Sequence, residues 1–169
     1  MNKDHFDLQR CVGALSTSFS SRLGAGASQE YHRRFGIGVV EWRVLCHLAV
    51  EPWSNIIAMA NSIGLDKSSV SRALSGMEAD GLVTVRDGAR RKREVALTDA
   101  GLDLHRRVLP IARAREAAVL QGFTAEEFET LLNYFHRLIG NLPHVEEDAQ
   151  IRSAQDSEGS GAALSNRSS

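Results

Sequence analysis

The fold of this chain is decided by residues 56–98, which read IIAMANSIGLDKSSVSRALSGMEADGLVTVRDGARRKREVALT. Ser54 or Asn55, just before the stretch, is placed to cap a helix. Its apolar residues recur at helical spacing and stop at Gly64, a residue type that commonly closes helices. Asp66 is placed to cap a second helix, which Gly81 ends. Two runs that alternate apolar and polar residues then flank a glycine-containing turn, and this pattern predicts a β-hairpin.

The second of these helices has two contrasting faces. Its apolar face consists of Val70, Ala73, Leu74 and Met77. The opposite face carries serines and an arginine, although exposed helix positions usually favour Glu, Lys and Gln. Small polar groups allow a helix to approach base edges closely in the major groove of DNA. We therefore predict DNA contact by Lys67, Ser68, Ser69, Ser71, Arg72 and Ser75.

The hairpin tip contains the densest basic cluster of the chain, which consists of Arg90, Arg91, Lys92 and Arg93. The whole chain has a net charge of −1, a value that by itself argues against a nucleic-acid partner. Residues 144–169, however, contribute −3 and residues 1–143 contribute +2. Because local charge density governs phosphate contact more than the total does, we predict that this cluster lies against DNA phosphates. A solvated turn is the alternative interpretation.

The residues before this stretch predict further helices. Apolar residues recur at helical spacing over residues 6–23. The sequence GAGA at 24–27 is expected to weaken or break that helix, and residues 28–35 can resume it. Gly38 and Glu41 are spaced as the N-cap and capping-box partner of the next helix. The residues predicted to face inward from that helix are Trp42, Leu45, Leu48 and Ala49.

Two more helices are predicted after the hairpin. Thr98 is placed to cap a long helix in which Pro110 is expected to cause a kink or a split. Thr124 begins a capping box for a last helix that has a strong apolar stripe, and Pro143 is expected to end it. Residues 144–169 are rich in Ser, Gly and acidic side chains, which predicts a disordered tail.

Together these patterns predict a mainly α fold with a small β-hairpin wing, in which a winged helix-turn-helix lobe is joined to a dimerisation lobe made of terminal helices. The stripes of the terminal helices have no obvious partner inside the small lobe, so a two-fold dimer is expected to bury them. The predicted segments are 1–35 and 99–143 for the dimerisation lobe, 36–98 for the DNA-binding lobe and 144–169 for the tail.

Composition argues against several other classes of protein. The cysteines, Cys11 and Cys46, are too few for a disulfide framework. Neither a signal core nor an apolar run of membrane-spanning length occurs, so a cytoplasmic protein is expected. The six histidines form no metal-spaced pair with one another or with cysteine, and neither a metal site nor a cofactor is predicted. Motifs for phosphate-loop or serine chemistry are missing, and an enzyme is not expected.

Four motifs, in order and at matching spacing, give the chain a resemblance to the MarR family of winged-helix transcriptional regulators over residues 6–142. They are EWRVL at 41–45, LDKSSVSR at 65–72, MEADGLV at 77–83 and LTDAG at 97–101. The resemblance implies a homodimer with interleaved terminal helices, which represses by occupying promoter DNA and in many members releases it when a small ligand or an oxidant acts. The family's wing usually carries Asp-x-Arg, and those positions are Ala89 and Arg91 here, so the acid is missing.

We therefore expect a sequence-specific, ligand-responsive repressor that acts as a homodimer on a palindromic operator in double-stranded DNA. Trp42, Arg43 and His47 are candidates for binding a small aromatic or acidic effector, by stacking and charge pairing, with a core role for Trp42 as the alternative. Cys11 is a candidate oxidant sensor, although its place on an apolar stripe favours a buried structural cysteine. The alternative from another class is a winged-helix module that uses the same surface to bind a protein.

Overall fold

The computed structural model describes residues 6–88 and 93–149. The helices are a 3-10 turn at Leu8–Arg10, α1 (Val12–Phe35), α2 (Val39–Val50), α3 (Ile56–Ile63), α4 (Lys67–Ala79), α5 (Asp99–Val119) and α6 (Ala125–Gly140). The strands are β1 (Ser54–Asn55), β2 (Val83–Asp87) and β3 (Arg93–Leu97). The described residues form two compact units that divide after Glu116, so most of α5 belongs to the first unit. The segment boundaries expected from the sequence stay a prediction.

The predicted fold class is confirmed, since α2, α3 and α4 pack together and the β2–β3 hairpin follows as a wing. The sheet is antiparallel with strand order β1-β3-β2, and Val85 opposes Val95 in the hairpin. The apolar face predicted for α4 is also confirmed. Val70, Ala73, Leu74 and Met77 are all buried in the same core as Leu45 and Leu48 of α2. This core fixes the side of α4 that is turned outward.

Short-range hydrogen bonds set the helix ends as predicted. The side chain of Asn55 accepts from the backbone N–H of Ala58 at 3.0 Å and begins α3. Gly64 ends this helix with φ +66°, the left-handed conformation that glycine adopts at little cost. Glu41 accepts from the N–H of Gly38 at 3.0 Å at the start of α2. These caps satisfy backbone groups that have no partner within their helices.

Helix α1 runs unbroken through the glycines at 24 and 26, so the predicted break is wrong. The reason is tertiary packing. Ala27 and Tyr31 are buried on the inner side of α1, and the guanidinium of Arg115 from α5 donates to the carbonyl oxygen of Leu23 at 3.0 Å. A Cβ at Gly26 would lie 3.1 Å from Nη2 of Arg115, so the small residue makes room for this contact.

The start of α5 is fastened to the base of the wing. Thr98 donates from its hydroxyl to the carbonyl of Gly81 at 2.7 Å and accepts from the N–H of Gly101 at 3.1 Å. A Cβ at Gly101 would overlap the carbonyl oxygen of Leu82. The helix continues through Pro110 without the split that was considered from the sequence.

The second unit contains α6, whose predicted capping box is confirmed. Thr124 donates its backbone N–H to Glu127 at 2.8 Å, and the hydroxyl of Thr124 accepts the N–H of Glu127 at 3.2 Å. Residues 142–149 are helical, so Pro143 does not end the helical region and residues 144–149 depart from the expected disorder. Proline is tolerated there because it lies in the first turn, where its missing N–H needs no partner. Across the described ranges, no helix has the length and apolarity needed to cross a membrane.

The strand β1 was not expected from the sequence, because two residues carry no readable alternation. Ser54 and Asn55 pair with Val95 and Glu94 of β3. The preceding residue, Trp53, has φ +61°, and among the described residues it alone shows a positive φ without being glycine. The α2–α3 connection is thus joined directly to the wing.

Candidate nucleic-acid interface

The outward face of α4 contains all the DNA-contact residues predicted on this helix. Lys67, Ser68, Arg72 and Ser75 are exposed, and Ser69 and Ser71 are half-buried. Because the opposite face is fixed in the core, this face has a defined orientation. It offers small side chains and two cations, a combination that suits close approach to base edges and phosphates.

Hydrogen bonds within the chain hold several of these groups in place. The hydroxyl of Ser68 donates to Asp66 at 2.5 Å, and the guanidinium of Arg72 donates to the hydroxyl of Ser69 at 3.2 Å. Bonds from Ser68 and Ser69 hold the pKa of Asp66 well below its usual range. Asp66 is therefore the anionic N-cap of α4, as the sequence predicted, and its charge is satisfied locally.

The wing differs in part from the expectation. Arg90, Arg91 and Lys92 lie outside the described residues, so their predicted phosphate contacts stay predictions. Arg93 is described at the start of β3, and its Nη2 lies 3.5 Å from the carboxylate of Glu78 on α4. Both side chains are largely exposed, so this ion pair is weak and leaves Arg93 available to another anion.

Sequence reasoning missed a cluster on the hairpin strands close to the tip of the wing. The guanidinium of Arg86 on β2 donates to one oxygen of Glu94 on β3, from Nε at 3.0 Å and from Nη2 at 2.8 Å. The same group lies 3.9 Å from the ring centroid of Trp53. The observed hairpin register places Arg86 opposite Glu94, and opposite charges on two predicted neighbouring strands were the signal that could have revealed the ion pair.

A cavity of about 460 Å³ in the first unit contains two of the three predicted effector residues, Trp42 and Arg43. Its walls come from α1, α2 and α5, and Arg113 and Arg115 add two further cations that the sequence analysis did not select. Arg115 also contacts Glu30 at 3.4 Å, so it is partly neutralised. Glu116 adds one carboxylate to the lining, so the cavity combines an aromatic wall with three arginines against one acid.

Aromatic rings continue from this cavity into the neighbouring packing. Trp42 stacks on His105 of α5 with the ring centroids 5.3 Å apart, and Tyr31 is tilted against Trp42 at 5.9 Å. Burial, assisted by two nearby arginines, lowers the pKa of His105. Burial raises the pKa of Tyr31, against the influence of Arg115. The stack joins α1, α2 and α5, so Trp42 serves packing and the cavity at once.

His47 does not belong to this cavity, in contrast to the prediction. It is buried, and its Nε2 lies 3.0 Å from the hydroxyl of Ser54, so it bridges α2 and β1. Its position on the helix places it away from Trp42, toward a second cleft that also involves Cys46. Burial makes a hydrogen-bonded structural role the better interpretation of His47.

The cysteines lie in different surroundings. Cys11 is the N-cap residue of α1 and is half-buried, rather than part of the apolar stripe of that helix as predicted. Its role as an oxidant sensor stays a prediction. Burial raises the pKa of Cys46 to about 11, which disfavours the reactive thiolate. Within residues 6–88 and 93–149, no group of three or more potential ligands from His, Cys, Asp and Glu could hold a metal ion.

Comparison with known proteins agrees with this geometry. The MarR family profile matches residues 35–94. A MarR-family transcriptional regulator from Silicibacter pomeroyi is 27% identical, with 80% of this chain and 92% of that one covered and a TM-score of 0.72. A MarR/EmrR-family regulator from Acinetobacter sp. ADP1 is 25% identical, with 82% and 99% covered and a TM-score of 0.77.

A third similar structure, the S. aureus MepR–DNA complex, is 18% identical, with 79% of this chain and 98% of that one covered and a TM-score of 0.69. At that identity it supports the fold alone. The profile match falls on the lobe that holds α2, α3, α4 and most of the wing, and the structural matches extend well beyond it. Residues 35–94 thus match the MarR family of transcriptional regulators, and the fold of the chain is similar to that of solved members of this family.

Proposed function

We propose that this protein is a sequence-specific repressor that binds a palindromic operator as a homodimer. The observation that carries the proposal is α4, a helix with one face locked in the core and the other composed of small polar side chains and cations. In the S. aureus MepR complex a protein of this fold is bound to DNA. We place Ser68, Arg72 and Ser75 against base edges, with Lys67 and the wing cations against phosphates. A DNA target places this action in the cytoplasm.

Exposed apolar side chains support the homodimer. In the single chain, Leu8, Val12, Leu15 and Phe19 are each about half exposed or more, and so are several apolar residues of the second unit. Exposed apolar side chains at helical spacing, as on α1, favour a protein partner, and a second copy is the commonest one. A two-fold dimer presents two α4 helices to half-sites about one helical turn of DNA apart.

The DNA proposal is tested by fluorescence anisotropy on duplexes from the upstream promoter region, over a series of salt concentrations. We expect affinity to fall steeply with salt, because phosphate contact releases counterions. Arg72→Ala should change the preference among operator sequences, whereas Arg91→Ala should weaken binding to all of them. Arg22→Ala on α1 removes the same charge from an exposed position and serves as the control.

Two results would count against this proposal. If low-salt titrations show no binding to those duplexes, the protein is not a regulator of that region. If binding occurs but Arg72→Ala and Arg91→Ala both behave like the Arg22 control, the docking of α4 and the wing is wrong. Binding of a protein ligand by the same surface, insensitive to duplex DNA, would favour the interaction-module alternative.

We further propose that the cavity beside Trp42 binds an aromatic carboxylate whose occupancy changes DNA affinity. The volume fits one or two rings, Trp42 and Tyr31 supply stacking surface, and Arg43 and Arg113 supply charge for a carboxylate. This proposal assigns binding rather than catalysis to the cavity, in keeping with similar proteins that are transcriptional regulators.

The cavity proposal is tested by calorimetric titration with 2-naphthoate, using the neutral 2-naphthamide as the matched probe. We expect the acid to bind more tightly than the amide, and Arg113→Met to remove most of that difference. An amide that binds as well as the acid would contradict the charge-pairing argument. The variant Arg10→Met, outside the cavity lining, is the control for a general loss of positive charge.

A further inference from the structure

The loop between α2 and α3 contacts the wing through Trp53. The ring of Trp53 lies against the guanidinium of Arg86, with 3.9 Å from Cζ to the ring centroid. Arg86 in turn is held by two hydrogen bonds to Glu94. One planar cation thus joins three parts of the lobe: the loop, β2 and β3. The stacking on Trp53 and the two hydrogen bonds to one carboxylate oxygen of Glu94 restrict both the position and the tilt of the Arg86 guanidinium.

The backbone reinforces these contacts at two places. Trp53 directly precedes β1, where Asn55 pairs with Glu94, so the loop and the ion pair share one strand register. On the other side of the ion pair, a Cβ at Gly88 would overlap the carboxyl group of Glu94. The Glu94 side chain therefore occupies the space beside the last described residue before the tip. Side-chain contacts and backbone strand pairing therefore both restrain the residues around Glu94.

The conformation of Trp53 is an independent sign of this constraint. A tryptophan with φ +61° is unfavourable, and such conformations persist where surrounding contacts determine them. The contact that Trp53 makes on its ring face is with Arg86. The residue next to Glu94 on β3, Arg93, contacts Glu78 of α4, so β3 makes side-chain contacts with two other elements, β2 and α4.

We infer that Trp53, Arg86 and Glu94 form a clamp that positions the wing for DNA contact, an inference that rests on the proposed function. Position 89 is alanine, so the tip has no carboxylate there to orient its arginines. The clamp instead holds the hairpin next to its tip, because the Arg86–Glu94 pair directly precedes the Asp87–Arg93 pair that ends the described strand pairing. Arg86 is a positioning residue in this arrangement, because its charge is already engaged by Glu94, and the tip cations supply the contacts with phosphate.

Hydrogen–deuterium exchange of the free protein tests the clamp without DNA. We expect Trp53→Leu and Glu94→Gln each to raise amide exchange in β2 and β3 by about tenfold or more, as a locally loosened hairpin does. Trp53→Phe should restore most of the protection, because it retains an aromatic face. The control is Arg107→Gln, which removes a comparable contact between an arginine and Phe35 away from the wing. Unchanged exchange in both clamp variants would overturn the inference.

DNA affinity separates positioning from direct contact. If Arg86 itself bound phosphate, Glu94→Gln would free it and tighten binding, and Arg86→Gln would lower the salt slope by about 0.9. The clamp predicts the opposite: Glu94→Gln and Trp53→Leu weaken binding at an unchanged salt slope, and the double variant is no weaker than the worse single one. A wild-type protein without DNA binding would refute the proposed function, and the clamp would then be judged by exchange alone.

Discussion

Replacing Gly101 with alanine should destabilise the protein through one contact. The new Cβ would overlap the carbonyl oxygen of Leu82, which also accepts the N–H of Thr98 at 3.1 Å. Backbone on both sides of the clash is therefore held, and the strain cannot be relieved by a rotating side chain. Overpacking of this kind costs about 1–3 kcal/mol. Alanine offsets at most about 1 kcal/mol of that cost through its better helix propensity.

The matched control is Gly76→Ala on α4, where a Cβ would meet nothing within 4 Å. We expect this variant to be more stable than the wild type, by up to about 1 kcal/mol. The free energy of unfolding is measured for all three proteins by urea denaturation at one fixed protein concentration. A Gly101→Ala protein as stable as Gly76→Ala would refute the argument, because it would show that α5 can move away from Leu82 at little cost.

Three further outcomes are expected. His105 has a lowered pKa in the folded protein, so its contribution to stability is complete above the unfolded pKa of about 6.5 and is lost as the pH falls below it. In His105→Gln, the free energy of unfolding should therefore change less between pH 7 and pH 5 than in the wild type. Cys46, with a pKa of about 11, should react with iodoacetamide at least about tenfold more slowly than a free thiol at pH 7.5, as followed by mass spectrometry against Cys46→Ser. Arg115→Met should lower the free energy of unfolding, measured by chemical denaturation, by about 1 kcal/mol, because it removes the hydrogen bond to Leu23. Arg107→Met, at an exposed position, should change the same free energy by less than about 0.5 kcal/mol. Equal losses in the two variants would contradict the role given to the Leu23 contact.

The parts of the fold that the sequence predicted correctly depend on short-range chemistry. Asn55 and Asp66 accept backbone N–H groups three residues further on, and these bonds require no distant partner. The core face of α4 follows from helical periodicity alone, as Val70 and Met77 show. Trp42 and Arg43 were selected by residue type, and the fold places both at one cavity.

The parts that sequence reasoning missed depend on residues far apart in the chain. Gly26 is typical of a helix break until Arg115 is seen to occupy the space beside it. His47 has the chemistry of an effector ligand, and only the position of Ser54 shows that it is engaged elsewhere. Trp53 carries no local signal, because its partner, Arg86, lies beyond two intervening helices. Pairing between distant segments, rather than local propensity, decides these positions.

Helix α5 runs from the base of the wing to the cavity beside Trp42. Near one end Gly101 lies against the base of the wing, and fourteen residues further along Arg115 lines the cavity beside Trp42. At 1.5 Å per residue the two points are about 21 Å apart, so a tilt of about 5° at one end displaces the other by about 2 Å. A displacement of that size is comparable to the tolerance of a hydrogen bond to a base or phosphate. If the cavity binds a ligand as proposed, α5 is the continuous helix through which that binding reaches the wing.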